Sequence, residues 1–176
     1  YPGDMAVELC ALDATIEVAT PQGGERTIPA REFHRLPEDR PEKDNVLKPG
    51  EVITAVTLPS PVGGKQLYRK VRDRASYAFA LVSIAAVVRM ADDRIAHASL
   101  AFGGLAHKPW HDARIDEALA GEAPSAELFD HAADLLLEGA RVWGSNDFKV
   151  PLARRTLRAV LRDATPGARV FFFNGG

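Results

Sequence analysis

Apolar and polar positions change their period several times along the chain, and each change marks an element. Met5, Leu9 and Leu12 recur at helical spacing with Ala6 and Cys10 beside them, which predicts an opening helix. Asp4, just ahead of it, is a candidate N-cap, since its carboxylate can accept the free N–H groups of a first turn. TIEVAT (15–20) alternates and predicts a strand. Pro21-Gln22-Gly23-Gly24 predicts a turn, and 25–28 a returning strand. Residues 36–49 are polar and hold Pro37, Pro41 and Pro49, so they read as a loop. Residues 51–58 are strongly β-forming and stop at Pro59. The stretch Ser60-Pro61-Val62-Gly63-Gly64 is the best domain boundary in the chain.

Beyond it, 66–71 leads to a long strand over 79–90 that is apolar on both faces. Ala80, Val82, Ile84, Ala86 and Val88 share one face, and Phe79, Leu81, Ala85 and Val87 the other. The β-branched residues favour strand over helix. Ala91-Asp92-Asp93-Arg94 predicts a hairpin turn, 95–102 pairs back, and Gly103-Gly104 breaks the sheet. The remainder is helical. One helix over 113–120 ends at Gly121. Ser125 caps a second, with an inward stripe of Leu128, Ala132, Leu135 or Leu136, and Ala140; Glu127 and Asp130 lie near its positive end. A last helix, about 152–164, turns Leu157, Val160, Leu161 and Ala164 inward and Arg154, Arg155, Arg158 and Arg162 toward solvent. The tail ARVFFFNGG is apolar, aromatic and unpatterned. The expected architecture is α+β: a strand–helix unit, a Pro/Gly linker, then an antiparallel sheet packed on C-terminal helices.

Composition narrows the function classes. The chain has 176 residues, 46% of them hydrophobic, enough to bury a core without metals or disulfides. Lys plus Arg number 22 against 24 Asp plus Glu, a balance that argues against a nucleic-acid or membrane-surface protein. The single Cys10 excludes an intrachain disulfide and any all-cysteine metal or iron–sulfur site made by this chain alone. No apolar run reaches the length of a membrane helix. Tyr1-Pro2-Gly3-Asp4 is not an initiator context, so the sequence reads as cut from something longer or as a processed product.

Catalytic signatures are missing. There is no GxSxG, GxGxxG or Walker loop. His107 and His111 are four apart, a metal-binding spacing on a helix, but Pro109 between them argues against a helix. What stands out is KVRDRASYAFALVSIAAVV (70–88). Four of its first five residues are charged, while 75–88 carries no charge, and Tyr77 sits at the junction. One reading is a surface loop entering a buried strand, capped by a packed tyrosine. The other is an anionic, aromatic ligand lying on Lys70, Arg72, Arg74 and Tyr77.

Five ordered blocks carry a resemblance: YPGDMAVELCALDA, RTIPAREFHRLP, LKPGEVITAVTLP, YRKVRDRASYAFALVSIAAVV and AFGGLAHKPW. Together they resemble the FAD-binding medium subunit of molybdenum hydroxylases, the xanthine dehydrogenase, aldehyde oxidoreductase and carbon monoxide dehydrogenase group. The resemblance runs from Tyr1 to about Ala164 and is nearest to bacterial aldehyde oxidoreductase flavin subunits. It implies that 1–61 is the later part of a vanillyl-alcohol-oxidase-type FAD-binding domain, 65–165 the C-terminal α+β domain of the flavoprotein, and 166–176 a tail. It also implies an oxidoreductase component that passes electrons through FAD to an acceptor. A small iron–sulfur subunit would deliver those electrons from a large subunit, whose molybdenum cofactor hydroxylates an aldehyde or N-heterocycle. Nucleic acid and membrane insertion are not expected, and the compartment would be cytoplasmic or, for the aldehyde oxidoreductase type, periplasmic. Carried over position by position, the resemblance places Asp4, Ile53, Lys70 and Tyr77 at the flavin. The family's glycine-rich pyrophosphate segments and the cysteine-rich insertion of the aldehyde oxidoreductase type are not in this sequence. The chain is therefore expected to hold half a site and to bind FAD weakly or not at all by itself. A cofactor-free interaction module, docking onto the iron–sulfur and molybdenum subunits, is the alternative.

Overall fold

The computed structural model describes residues 2–38 and 40–166. The chain runs α1 (Asp4–Ala11), β1 (Thr15–Ala19), β2 (Glu25–Pro29), α2 (Ala30–Phe33), β3 (Val52–Thr57), β4 (Lys65–Val71), β5 (Val82–Ala91), β6 (Arg94–Gly103), α3 (Ala113–Leu119), α4 (Ala126–Leu137) and α5 (Lys149–Ala164). The strands form two antiparallel sheets, ordered β2-β1-β3 and β4-β5-β6. The Pro/Gly stretch at 58–64 lies between them, so the α+β expectation holds. The aromatic run of the tail lies outside the described residues.

The second sheet explains the two-faced apolar strand. Val82, Ile84, Ala86 and Val88 of β5 pack with Leu100 and Phe102 of β6 against Ile115, Phe129, Leu157 and Leu161 of the C-terminal helices. On the opposite face, Ala85 and Ala101 are paired across the strands and meet Val7, Cys10 and Ala11 of α1. An antiparallel strand covered on both sides needs no polar face. Small residues let α1 approach closely. A Cβ on Gly103 would lie 2.8 Å from Val7 Cγ2 and would also collide with the Ser83 hydroxyl. Gly104 has φ of +74°, and a Cβ there would press on the carbonyls of Ala80 and Leu81.

Three details depart from the sequence-based expectations. The long strand begins at Val82 rather than Phe79, and Phe79 is left exposed. In α4 Ala132 and Leu136 are buried as expected, but Phe129 and Ala133 join them and Leu128 lies at the edge, because the large ring of Phe129 takes the centre of the core. The helix also stops at Leu137, so the expected inward Ala140 falls beyond its end and is exposed. Ser125 does cap α4, accepting the Leu128 N–H at 3.0 Å. The outward arginines of α5 are not all simply solvated: Arg154 and Arg158 reach Asp134 and Asp130 of α4 at 2.6 and 3.4 Å. His107 and His111 lie in an irregular segment, not on a helix.

Candidate functional site

Tyr68 and Lys70 are two apart on β4, so both point to one face of the sheet. Their cross-strand partners on β5 are the small residues Ala85 and Ser83. That face receives the first turn of α1. Tyr68 Oη donates to Asp4 Oδ1 and Lys70 Nζ to Asp4 Oδ2, each at 2.7 Å. The carboxylate thus joins the first helix to the second sheet. It does not act as an N-cap: Gly3 occupies that position and supplies no side-chain bond. The first-turn N–H groups of α1 consequently have no side-chain cap, and they add positive potential next to Lys70.

The electrostatics follow from this arrangement. Partial burial raises the Asp4 pKa, but the bonds from Lys70 and Tyr68, with the charges of Lys70 and Arg72, outweigh it and hold the carboxyl below the usual aspartate value. Burial and the Asp4 carboxylate push the Tyr68 phenol upward, against a bond to Ser83, so it stays protonated and donates. Lys70 is bound on one side by Asp4 and retains partial exposure.

The loop 72–81 follows directly. Tyr77 is 94% exposed and holds φ of +52°, a left-handed conformation costly for an aromatic residue. Its carbonyl accepts from Arg74 Nη2. Phe79, 74% exposed, completes an aromatic edge. Ile53 lies in the other sheet, on β3, opposite Val18 and next to a register shift. Every residue of β3 is exposed. The structure therefore binds Asp4 to Lys70 directly, places Tyr77 in the loop that leaves their strand, and puts Ile53 on the other sheet. Tyr68 was missed from sequence. Its Y-x-K spacing on a strand was the available signal.

A second fixed point is the LKPGE segment. Arg26 grips Glu51 through Nε at 2.8 Å and Nη2 at 2.7 Å, and the Lys48 N–H donates to Glu51 Oε2 at 2.7 Å. The Arg26 bond first, then the Lys48 bond, hold the Glu51 carboxyl down to about 2. This clamp fixes the start of β3 and with it Ile53.

The described residues thus form a strand–helix lobe linked to a helix-covered antiparallel sheet, with Lys70 held at the N-terminus of the first helix. The chain belongs to a molybdenum hydroxylase flavoprotein family: residues 66–164 match the CO dehydrogenase flavoprotein C-terminal domain, and residues 1–61 match the FAD binding domain in molybdopterin dehydrogenase. It is 46% identical over 164 residues to the aldehyde oxidoreductase FAD-binding subunit PaoB of Escherichia coli K12, covering 93% of this chain and 48% of that protein. It is 30% identical over 125 residues to the glyceraldehyde dehydrogenase medium chain of Sulfolobus acidocaldarius, covering 71% of this chain and 42% of the other. Among solved structures, quinoline 2-oxidoreductase from Pseudomonas putida 86 superposes with a TM-score of 0.79 at 25% identity, over 94% of this chain and 57% of the other. The chain thus spans about half the length of the curated relatives it matches. No helix among the described residues is long and apolar enough to cross a membrane.

Proposed function

We propose that this chain is the later part of an FAD-binding, electron-transferring subunit of a molybdenum-containing hydroxylase that oxidises aldehydes or N-heterocycles. The observation carrying the reading is the Asp4–Tyr68–Lys70 junction, with the exposed Tyr77 in the loop that follows β4. The donor set suits the cofactor. Lys70, Arg72 and the uncapped first turn of α1 favour negative charge, while Tyr77 and Phe79 offer aromatic surface. FAD, when bound, supplies two-electron chemistry between iron–sulfur clusters and a final acceptor. The chain's own residues bind and orient. Asp4 holds Lys70 in one direction, Tyr68 fixes Asp4 from behind, and Tyr77 covers the ring-facing edge. Ile53, on its clamped strand, is assigned the remaining contact.

The flavin domain and the C-terminal domain are assigned to 1–61 and 65–165. The partners proposed are an iron–sulfur small subunit and a molybdenum-binding large subunit, and the compartment, cytoplasmic or periplasmic, rests on the family resemblance alone. The chain alone is proposed to be inactive, because the glycine-rich pyrophosphate segments of the family are not in it. Exposed Met5, Tyr77, Phe79 and Trp143 favour a second reading, a cofactor-free docking module.

The test is flavin absorbance near ~450 nm. A longer polypeptide that includes the family's glycine-rich segments should purify yellow, and Lys70→Gln in it should weaken FAD binding about tenfold, as loss of one charge-assisted bond does. A colourless longer protein that takes up no added FAD supports the docking module instead.

A further inference from the structure

A second hollow lies at the other end of α1, and it shares no residue with the Asp4 junction. The linker joining the two sheets crosses above the α1–β1 turn and one side of β6, leaving a cavity of about 680 Å³. That volume is in the range that holds small organic ligands. Its lining divides in two. Leu12, Leu58, Pro59, Pro61, Val62 and Val87 supply its apolar surface, and Asp13, Arg31 and Asp116 are its charged groups.

Arg31 is anchored from behind. Its Nε donates to the Cys10 carbonyl and its Nη2 to Ser99 Oγ, both at 3.0 Å, with Asp13 Oδ1 3.6 Å from Nε. Among the described residues its Nη1 has no partner. Asp116 is fixed by one oxygen only. Oδ1 accepts the Leu100 N–H at 2.9 Å, while Oδ2 has His111 Nδ1 at 3.7 Å, too far for a hydrogen bond. Burial pushes the Asp116 carboxyl up to about 7; the Leu100 bond and Arg31 oppose this, and Asp112 and Glu117 add to it. Near neutral pH the second oxygen can therefore hold a proton and donate it.

We propose that this cavity binds a small monocarboxylic acid with an apolar body, its carboxylate held between Arg31 and Asp116 and its body beneath Pro59 and Pro61. Two donors with open valences suit a carboxylate. A cationic ligand would face Arg31, and a neutral amide would forgo the charge-assisted bond. A phosphate dianion would bring two negative charges beside Asp13 with one guanidinium to answer them. The groups facing Asp116 are Asp112 and Glu117 of the α3 region, His111 just ahead of it, His97 on β6, Asp13 after α1 and Arg31 on α2. Burial lowers the His111 pKa, so that ring is neutral where Asp116 titrates. Because the linker forms one wall, the ligand would hold the two lobes together.

Benzoate titrated into the purified protein, followed by calorimetry and amide chemical shifts, tests this site, with benzamide as the uncharged control. Saturable binding is expected at about pH 6, roughly tenfold weaker at about pH 8, as Asp116 loses its proton. Benzamide should bind at least ~10-fold more weakly than benzoate. Asp116→Asn keeps the acceptor for Leu100 and presents a permanent amide donor, so its benzoate affinity should not change between the two pH values. Arg31→Gln should abolish binding while a thermal melt reports whether it folds. If it does not fold, the Asp116→Asn result decides. Three outcomes overturn the proposal: no saturation at millimolar benzoate, equal binding of benzamide, or an unchanged pH dependence in Asp116→Asn. Shift changes confined to the Lys70 end of α1 would also overturn it.

Discussion

Asp116 carries a measurable consequence for stability. Its folded-state pKa lies at about 7, above the ordinary aspartate value, because burial disfavours the charged form. The contribution of the neutral carboxyl is fully present below about pH 4 and is lost as pH rises through about 7. Asp116→Asn, which has no such titration, should melt increasingly above the wild type from pH 5 to pH 8, by on the order of a few kcal/mol. Equal differences at both pH values would show that Asp116 is not shifted. Tyr77 offers a second test. Tyr77→Gly removes the left-handed strain and an exposed ring, so it should cost little or no stability in thermal melts. In the longer flavoprotein it should weaken FAD binding. A large loss of stability would mean that the tyrosine is held for packing. Lys70 and Tyr77 were legible in sequence as charge and aromatic surface beside a neutral run, whereas Asp4 reads there as an N-cap, a role that Gly3 occupies instead. Asp116 was not legible, since a carboxylate on an amphipathic helix looks solvated until its neighbours are known.

Elements were read well where one period dominates and poorly where two packing partners compete. β1, β2, β3 and β6 begin and end within about one residue of the ranges that the sequence predicts. In α4 the expected Ala132 and Leu136 do face inward, but Phe129 and not Leu128 fills the core beside them, because both positions are apolar and the sheet surface takes the larger ring. Phe129→Ala should therefore cost about 3–5 kcal/mol in chemical denaturation, against under about 2 for Leu128→Ala at the edge of the core. Equal costs would mean that Phe129 is no more central to the core than Leu128. The α1–sheet contact predicts another asymmetry. Gly103→Ala inserts a methyl against Val7 and Ser83 and should destabilise by about 1–3 kcal/mol. Gly103 ends β6, as the sequence predicts, and is also a point of close approach to α1.

The molecule as a whole is two sheets bridged by one short helix. α1 precedes the first sheet in the chain but packs on the second, through Val7, Cys10 and Ala11 against Ala85 and Ala101. This crossover brings Asp4 to Lys70, 66 positions later, and Arg31 to Ser99, 68 positions later. Periodicity, turn residues and the Pro/Gly linker determined the strands, most helices and the break between the two sheets, because those signals act over a few residues. The ordered blocks determined the family. Which face of the second sheet receives α1, that Asp4 binds β4 instead of capping its own helix, and that a hollow remains under the linker were decided only by tertiary packing. Those outcomes depend on burial and on the fit of side chains distant in sequence, and neither quantity is written in any local pattern.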